Sequence, residues 1–102
     1  MVNLVTSMRY EDRLDGFSNY SPWKERIKLV FLVNKIWEFV DKEIKKPTDS
    51  KELEVYGELD MKEKLIILNG VKYHLINHLT RKNISCEIWK SLQGLFQKKN
   101  ES

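Results

Sequence analysis

Cysteine is almost missing from this chain of 102 residues: Cys86 stands alone, so no internal disulfide can form, which fits a reducing compartment. Long apolar runs are missing too. No stretch approaches the roughly 18 consecutive apolar residues that read as a membrane span, so no membrane partner is expected. The start, Met1-Val2-Asn3, has neither the basic-then-apolar pattern of a secretory signal nor the glycine that myristoylation needs. These absences make a cytoplasmic location the expectation. Glycine is scarce, at four residues, and none of them falls in a phosphate-cradling loop. Proline is scarcer, at two, and both prolines sit beside helical patterns.

Charge of one sign is also in short supply. The 18 basic side chains exceed the 15 acidic ones by a net charge of +3. Nucleic-acid binding usually needs a denser basic stripe interleaved with aromatic residues. The clusters at Lys42, Lys45 and Lys46, at Arg81 and Lys82, and at Lys98 and Lys99 read as solvated helix ends and loops. Nucleic acid is therefore not the expected partner of this stretch alone.

What the chain does hold is apolar periodicity near 3.6 residues. After Ser21 and Pro22, a cap and a first helical position, Trp23, Ile27, Val30 and Phe31 share one face, and Asn34 reads as the stop. A short helix is predicted over about 36–44, from Ile36, Val40 and Ile44 with Trp37 beside them. The stretch 45–50 is a loop broken by Pro47, and Asp49, with Ser50 competing, caps the third helical pattern. That pattern runs from about 51 to 79 through Leu53, Tyr56, Leu59, Leu65, Leu68 and Leu75, with Gly70 the favoured break point by propensity. Ser85 opens a last helix whose face is Ile88, Trp89, Leu92, Leu95 and Phe96. The expectation is an all-α fold: a small bundle of about four to five helices with an extended N-terminal arm. The boundaries read as a flexible arm at 1–13, a helical domain at 14–98 and a polar tail at 99–102. In that arm region Leu14 and Phe17 are expected to tuck against the helices. The tail lacks stop chemistry, as a cut from something longer would leave it.

The core anchors expected from these stripes are Trp23, Ile27, Phe31, Leu68, Leu75, Ile88, Trp89, Leu92 and Phe96. Catalytic chemistry finds no constellation. His74 and His78 share a helix face but lack third and fourth ligands, so no metal and no cofactor is expected. Cys86 has no orienting group for a nucleophilic dyad. Glu58, Asp60 and Glu63 read as exposed, ionised carboxylates, and no enzyme is expected. Trp37 is different, because a helix this short cannot enclose both Ile36 and Trp37. A face around Val33 and Trp37 is the first candidate interface, and one around Tyr56 and Leu59 the second.

The stretch from Leu14 through Gly16, Asn19, Tyr20 and Trp23 resembles the opening of copia-type retrotransposon Gag proteins, in which a leucine and glycine precede Asn-Tyr, two further residues and tryptophan. Lys35-Ile36-Trp37 stands where that family has Gly-Leu-Trp. Tyr56 and Asp60 match its aromatic residue followed four positions on by aspartate. Ile67, Leu68, Leu75 and Ile76 match an Ile/Leu helix. Ser85-Cys86-Glu87-Ile88-Trp89 with Phe96 resembles its Thr-Ala-x-x-x-Trp element. The resemblance, over roughly 14–98, implies a non-catalytic capsid-type domain that self-associates in particle assembly, as a weak homo-oligomer, a dimer first of all. It implies cytoplasmic particles as the setting. The family's further helical region and zinc knuckle have no counterpart in these residues. The alternatives are a domesticated descendant binding one host or viral protein, and a weak nucleic-acid-binding module.

Overall fold

A computed structural model describes residues 8–42, 44–80, 82 and 84–96. Within them lie five α-helices: α1 (Tyr20–Val33), α2 (Trp37–Asp41), α3 (Ser50–Leu68), α4 (Tyr73–Leu79) and α5 (Ser85–Phe96). Two short 3₁₀ turns, Tyr10–Asp12 and Phe17–Asn19, precede them. The fold is the expected all-α bundle, with α3 packed against both α1 and α5. Residues 1–7 of the expected arm and the whole expected tail at 99–102 lie outside the described residues.

Each boundary has a local cause. Asp49 caps α3, its carboxylate accepting the Glu52 N–H at 3.1 Å, so Asp49 and not Ser50 takes the cap. The expected 51–79 pattern divides at Gly70 into α3 and α4. The second helix is shorter than the pattern suggested, ending at Asp41. The first begins at Tyr20, and Asn19 precedes it without capping it. Its side chain is committed elsewhere: Oδ1 accepts the Asp15 and Gly16 N–H groups, and Nδ2 donates to the Arg13 carbonyl. Pro22, three residues into the helix, has no N–H to satisfy there.

The exit from α1 is a Schellman turn. Ile36 N–H reaches back to the Phe31 carbonyl at 3.0 Å, and Lys35 N–H to that of Leu32 at 3.0 Å. Such a turn places its left-handed residue after the cap. Lys35 therefore carries φ 62°, while the expected stop, Asn34, stays right-handed and donates from Nδ2 to the Val30 carbonyl. The reward is that Ile36 folds into the core, at 2% exposure, beside Phe31. A Cβ in the left-handed region costs about 1–2 kcal/mol. Lys35→Gly should thus stabilise the domain by about 1 kcal/mol, part of the relief being offset by a freer unfolded chain. Urea titration measures this, and an unchanged or lower midpoint would refute it.

The residues ahead of α1 are fastened to the body. Leu14 forms an isolated parallel bridge with Val71, donating to the Gly70 carbonyl and accepting from the Lys72 N–H. Its side chain is fully buried, as is that of Val71. Tyr10 lies between the Arg13 and Lys72 cations, and the His74 Nε2–H donates to the Asp15 carbonyl at 2.7 Å. The segment expected to be a flexible arm is therefore, over its described part 8–13, a packed turn, with Met8 against the core. Phe17, expected to tuck inward, is instead 66% exposed, while Leu14 and Tyr20 on either side of it in sequence are buried.

Candidate interaction surfaces

The core is organised around rings. Phe96, Tyr20, Trp23, Trp89, Phe31 and Trp37 form a continuous chain with successive centroids 5.4–6.2 Å apart. Such spacings allow edge-on and offset contacts that stabilise beyond simple burial. The chain ties α5 to α1 and then to α2. Trp23 is its polar joint, since its Nε1–H donates to the Gly70 carbonyl at 2.7 Å, the same oxygen that Leu14 N–H approaches. A Cβ on Gly70 would stand 3.1 Å from Ile27 Cδ1 and 3.2 Å from the Ile66 carbonyl, so this close approach favours glycine and a larger residue would push Ile27 aside by a few tenths of an ångström. Among the expected anchors, Trp23, Ile27, Phe31, Leu75, Ile88, Trp89 and Leu92 are buried, and Leu68 and Phe96 are half-buried against the core.

Trp37 ends the ring chain and emerges from it. One face stacks on Phe31, the Lys28 ammonium stands 5.2 Å from its ring centroid, and the rest borders two surface depressions. The larger is a cleft of about 400 Å³ between α1, α2 and α5. Trp37, Val40 and Trp89 supply its apolar wall; Lys24, Lys28 and Lys90 stand around it with Glu25 and Asp41. The smaller runs between Leu32 and Trp37. Val33 is 51% exposed, with Leu29 and Leu32 also outward on α1. Tyr56 and Leu59, the second candidate pair, are half-buried on α3; the Tyr56 ring meets Phe39 of α2 edge-on at 5.5 Å. Burial and the nearby Asp60 raise the Tyr56 phenol above its ordinary range. The structure thus sets the two candidate pairs on separate helices, with α2 touching both through Trp37 and Phe39.

Between α3 and α5 lies a polar cluster that departs from expectation. Glu63, expected to be exposed and ionised, is 1% exposed. Its Oε1 accepts the Ser85 hydroxyl at 2.7 Å, and its Oε2 is buried with no hydrogen-bond partner. Asp60, one turn earlier, accepts the Ser85 N–H at 2.8 Å and so caps α5 from another helix, while pairing with Lys64 at 3.4 Å. Burial, with a smaller push from Asp60, raises the Glu63 carboxyl to about 7, against the lowering effect of Ser85. The available signal was position: Glu63 continues the inward stripe of Leu59, Ile66 and Ile67.

His74 and His78 are exposed, and Cys86 is half-buried beside the cleft. Among the described residues no three His, Cys, Asp or Glu side chains are placed to share a metal ion. No helix among them is long and apolar enough to cross a membrane.

Residues 11–48 match the family model for the Gag-polypeptide of LTR copia-type. That stretch runs from the first turn through α1 and α2 into the following loop, and it suggests a relation to copia-type Gag. No curated protein and no solved structure is matched by the chain. The resemblance at Tyr56 and Asp60 and at Ser85–Trp89 lies beyond the matched stretch. The residues that carry the resemblance do structural work: Asn19 gathers the loop, Leu14 and Trp23 share the Gly70 carbonyl, and Asp60 holds Ser85. A small all-helical domain with this family link is consistent with a structural, non-catalytic role in protein–protein interaction.

Proposed function

We propose that this chain is a capsid-type assembly domain that binds copies of itself, in the manner its likeness to copia-type Gag suggests, within cytoplasmic particles. The single observation that carries this reading is the apolar surface left uncovered where α1 meets α2. Leu29, Leu32 and Val33 are 45–60% exposed there, next to the emerging edge of Trp37. A patch of that kind on a small domain marks an interaction site, and an aromatic residue at its centre can supply much of the binding energy. The family match supports it, since residues 11–48 contain this whole surface. Single contacts of this size bind weakly, and an assembled array multiplies them.

The test is the mass of the intact chain by size-exclusion chromatography with light scattering. A mass that rises with concentration is expected, and a strictly monomeric mass up to about millimolar, the weakest affinity worth the name, would overturn the proposal.

A further inference from the structure

We infer that the self-association includes, beside the exposed α1 patch and continuous with it through Trp37, a cleft-to-helix contact: the lysine-rimmed cleft between α1, α2 and α5 of one copy receives the acidic outer face of α3 from another. This rests on the self-association reading and gives it a geometry.

The two surfaces are complementary in charge and in shape of chemistry. The cleft, about 400 Å³, has an apolar wall ending in Trp37 and three lysines against two carboxylates around it. Lys28 and Lys90, from α1 and α5, are exposed. Such a recess suits an apolar side chain flanked by carboxylates. The first half of α3 offers that pattern. From Asp49 to Asp60 the chain carries five carboxylates and one lysine; Asp49 caps α3 and Asp60 turns to Ser85, which leaves Glu52, Glu54 and Glu58 as the exposed carboxylates of this half of the helix. Glu54 and Glu58 are exposed one helical turn apart, and Val55 between them is 54% exposed. Val55 is too short to reach its own core from that side of the helix, which turns Tyr56, Leu59 and Glu63 inward.

The two surfaces belong to different elements, so two copies can pair them reciprocally about a twofold axis, or successive copies can pair them once each in a ring or open array, both through this one kind of contact. Opposite charges across it also steer the encounter and set its register, and they make it sensitive to salt.

The experiment uses two charge-reversed variants of the full chain, measured singly and mixed by sedimentation velocity at low salt. One carries Lys28→Glu and Lys90→Glu; the other carries Glu54→Lys and Glu58→Lys. All four side chains are exposed, so helicity by circular dichroism should match wild type. Each variant alone should lose association by about tenfold or more, and an equimolar mixture should regain it, because the reversed cleft then meets the reversed helix. Glutamine at the same positions removes charge without reversing it, so each glutamine variant alone should weaken association less than its charge-reversed counterpart. If wild type associates and either variant associates as well as it does, or if the mixture stays dissociated, the cleft-to-helix contact is wrong and self-association stands. If wild type itself is monomeric, both fall together.

Discussion

Trp23→Ala should destabilise the domain severely. The indole is 1% exposed and sits between Tyr20 and Trp89 in the ring chain. Truncating a buried tryptophan costs about 3–5 kcal/mol through lost transfer energy and the cavity left behind. A domain of this size has only about 5–15 kcal/mol in total. The same change removes the Nε1 hydrogen bond that joins α1 to the α3–α4 junction. Trp23→Phe separates the two effects. It keeps most of the apolar bulk and loses the bond, and the Gly70 carbonyl still has the Leu14 N–H, so no acceptor is stranded. Phe should therefore cost about 1–2 kcal/mol, well short of Ala. Thermal unfolding followed by circular dichroism distinguishes them. A loss of about 3 kcal/mol or more should lower the midpoint by roughly 12 °C or more in a domain this small. An Ala variant melting like wild type would show that the ring chain and the Gly70 contact do not hold the bundle together.

How far the fold could be read in advance depended on how local its causes are. The Asp49 cap, the break at Gly70 and the inward stripe of α1 each rest on residues within a turn or two, and each is visible in the sequence. Asn34 stops α1 as its position suggests, but the left-handed residue is the next one: the turn's geometry is set by Ile36, whose side chain enters the core, and that puts Lys35 at φ 62°. Leu14 was readable as a residue tucked against the helices, and it is fully buried, but its pairing with Val71, far along the chain, was not, because no periodicity encodes such a bridge. The incomplete burial of Trp37 could be read in advance, because so short a helix cannot bury both sides of itself. The cleft could not, since Lys24 and Lys28 of α1 meet Lys90 of α5 only through tertiary packing. Glu63 shows the same division. Its place on the stripe was readable, while its partner, Ser85, became apparent only when α5 was laid across α3.

Glu63 also predicts how the domain responds to pH. In the unfolded chain its carboxyl titrates near its ordinary value of 4.5; in the fold, burial lifts it to about 7. The folded state therefore binds the proton more tightly, and stability falls with rising pH wherever the folded state holds more protons. This contribution is fully present below pH 4.5, is lost progressively as pH rises toward 7, and stays lost above it. Its full size is roughly 3 kcal/mol, from about 1.4 kcal/mol per unit of difference. The physical origin is the Oε2 atom, which is buried without a hydrogen bond and tolerates a neutral carboxyl far better than an anion. The nearby Asp60 opposes ionisation as well, while the Ser85 hydroxyl offsets part of the penalty. Glu63→Gln keeps the shape and an acceptor for Ser85 but cannot ionise. It should match wild type near pH 4.5 and exceed it by roughly 2–3 kcal/mol at about pH 8. Because every other titrating group is common to both proteins, the difference between their urea midpoints across that range isolates this residue. A difference that stays constant across that range would show that burial does not lift the Glu63 carboxyl in the fold.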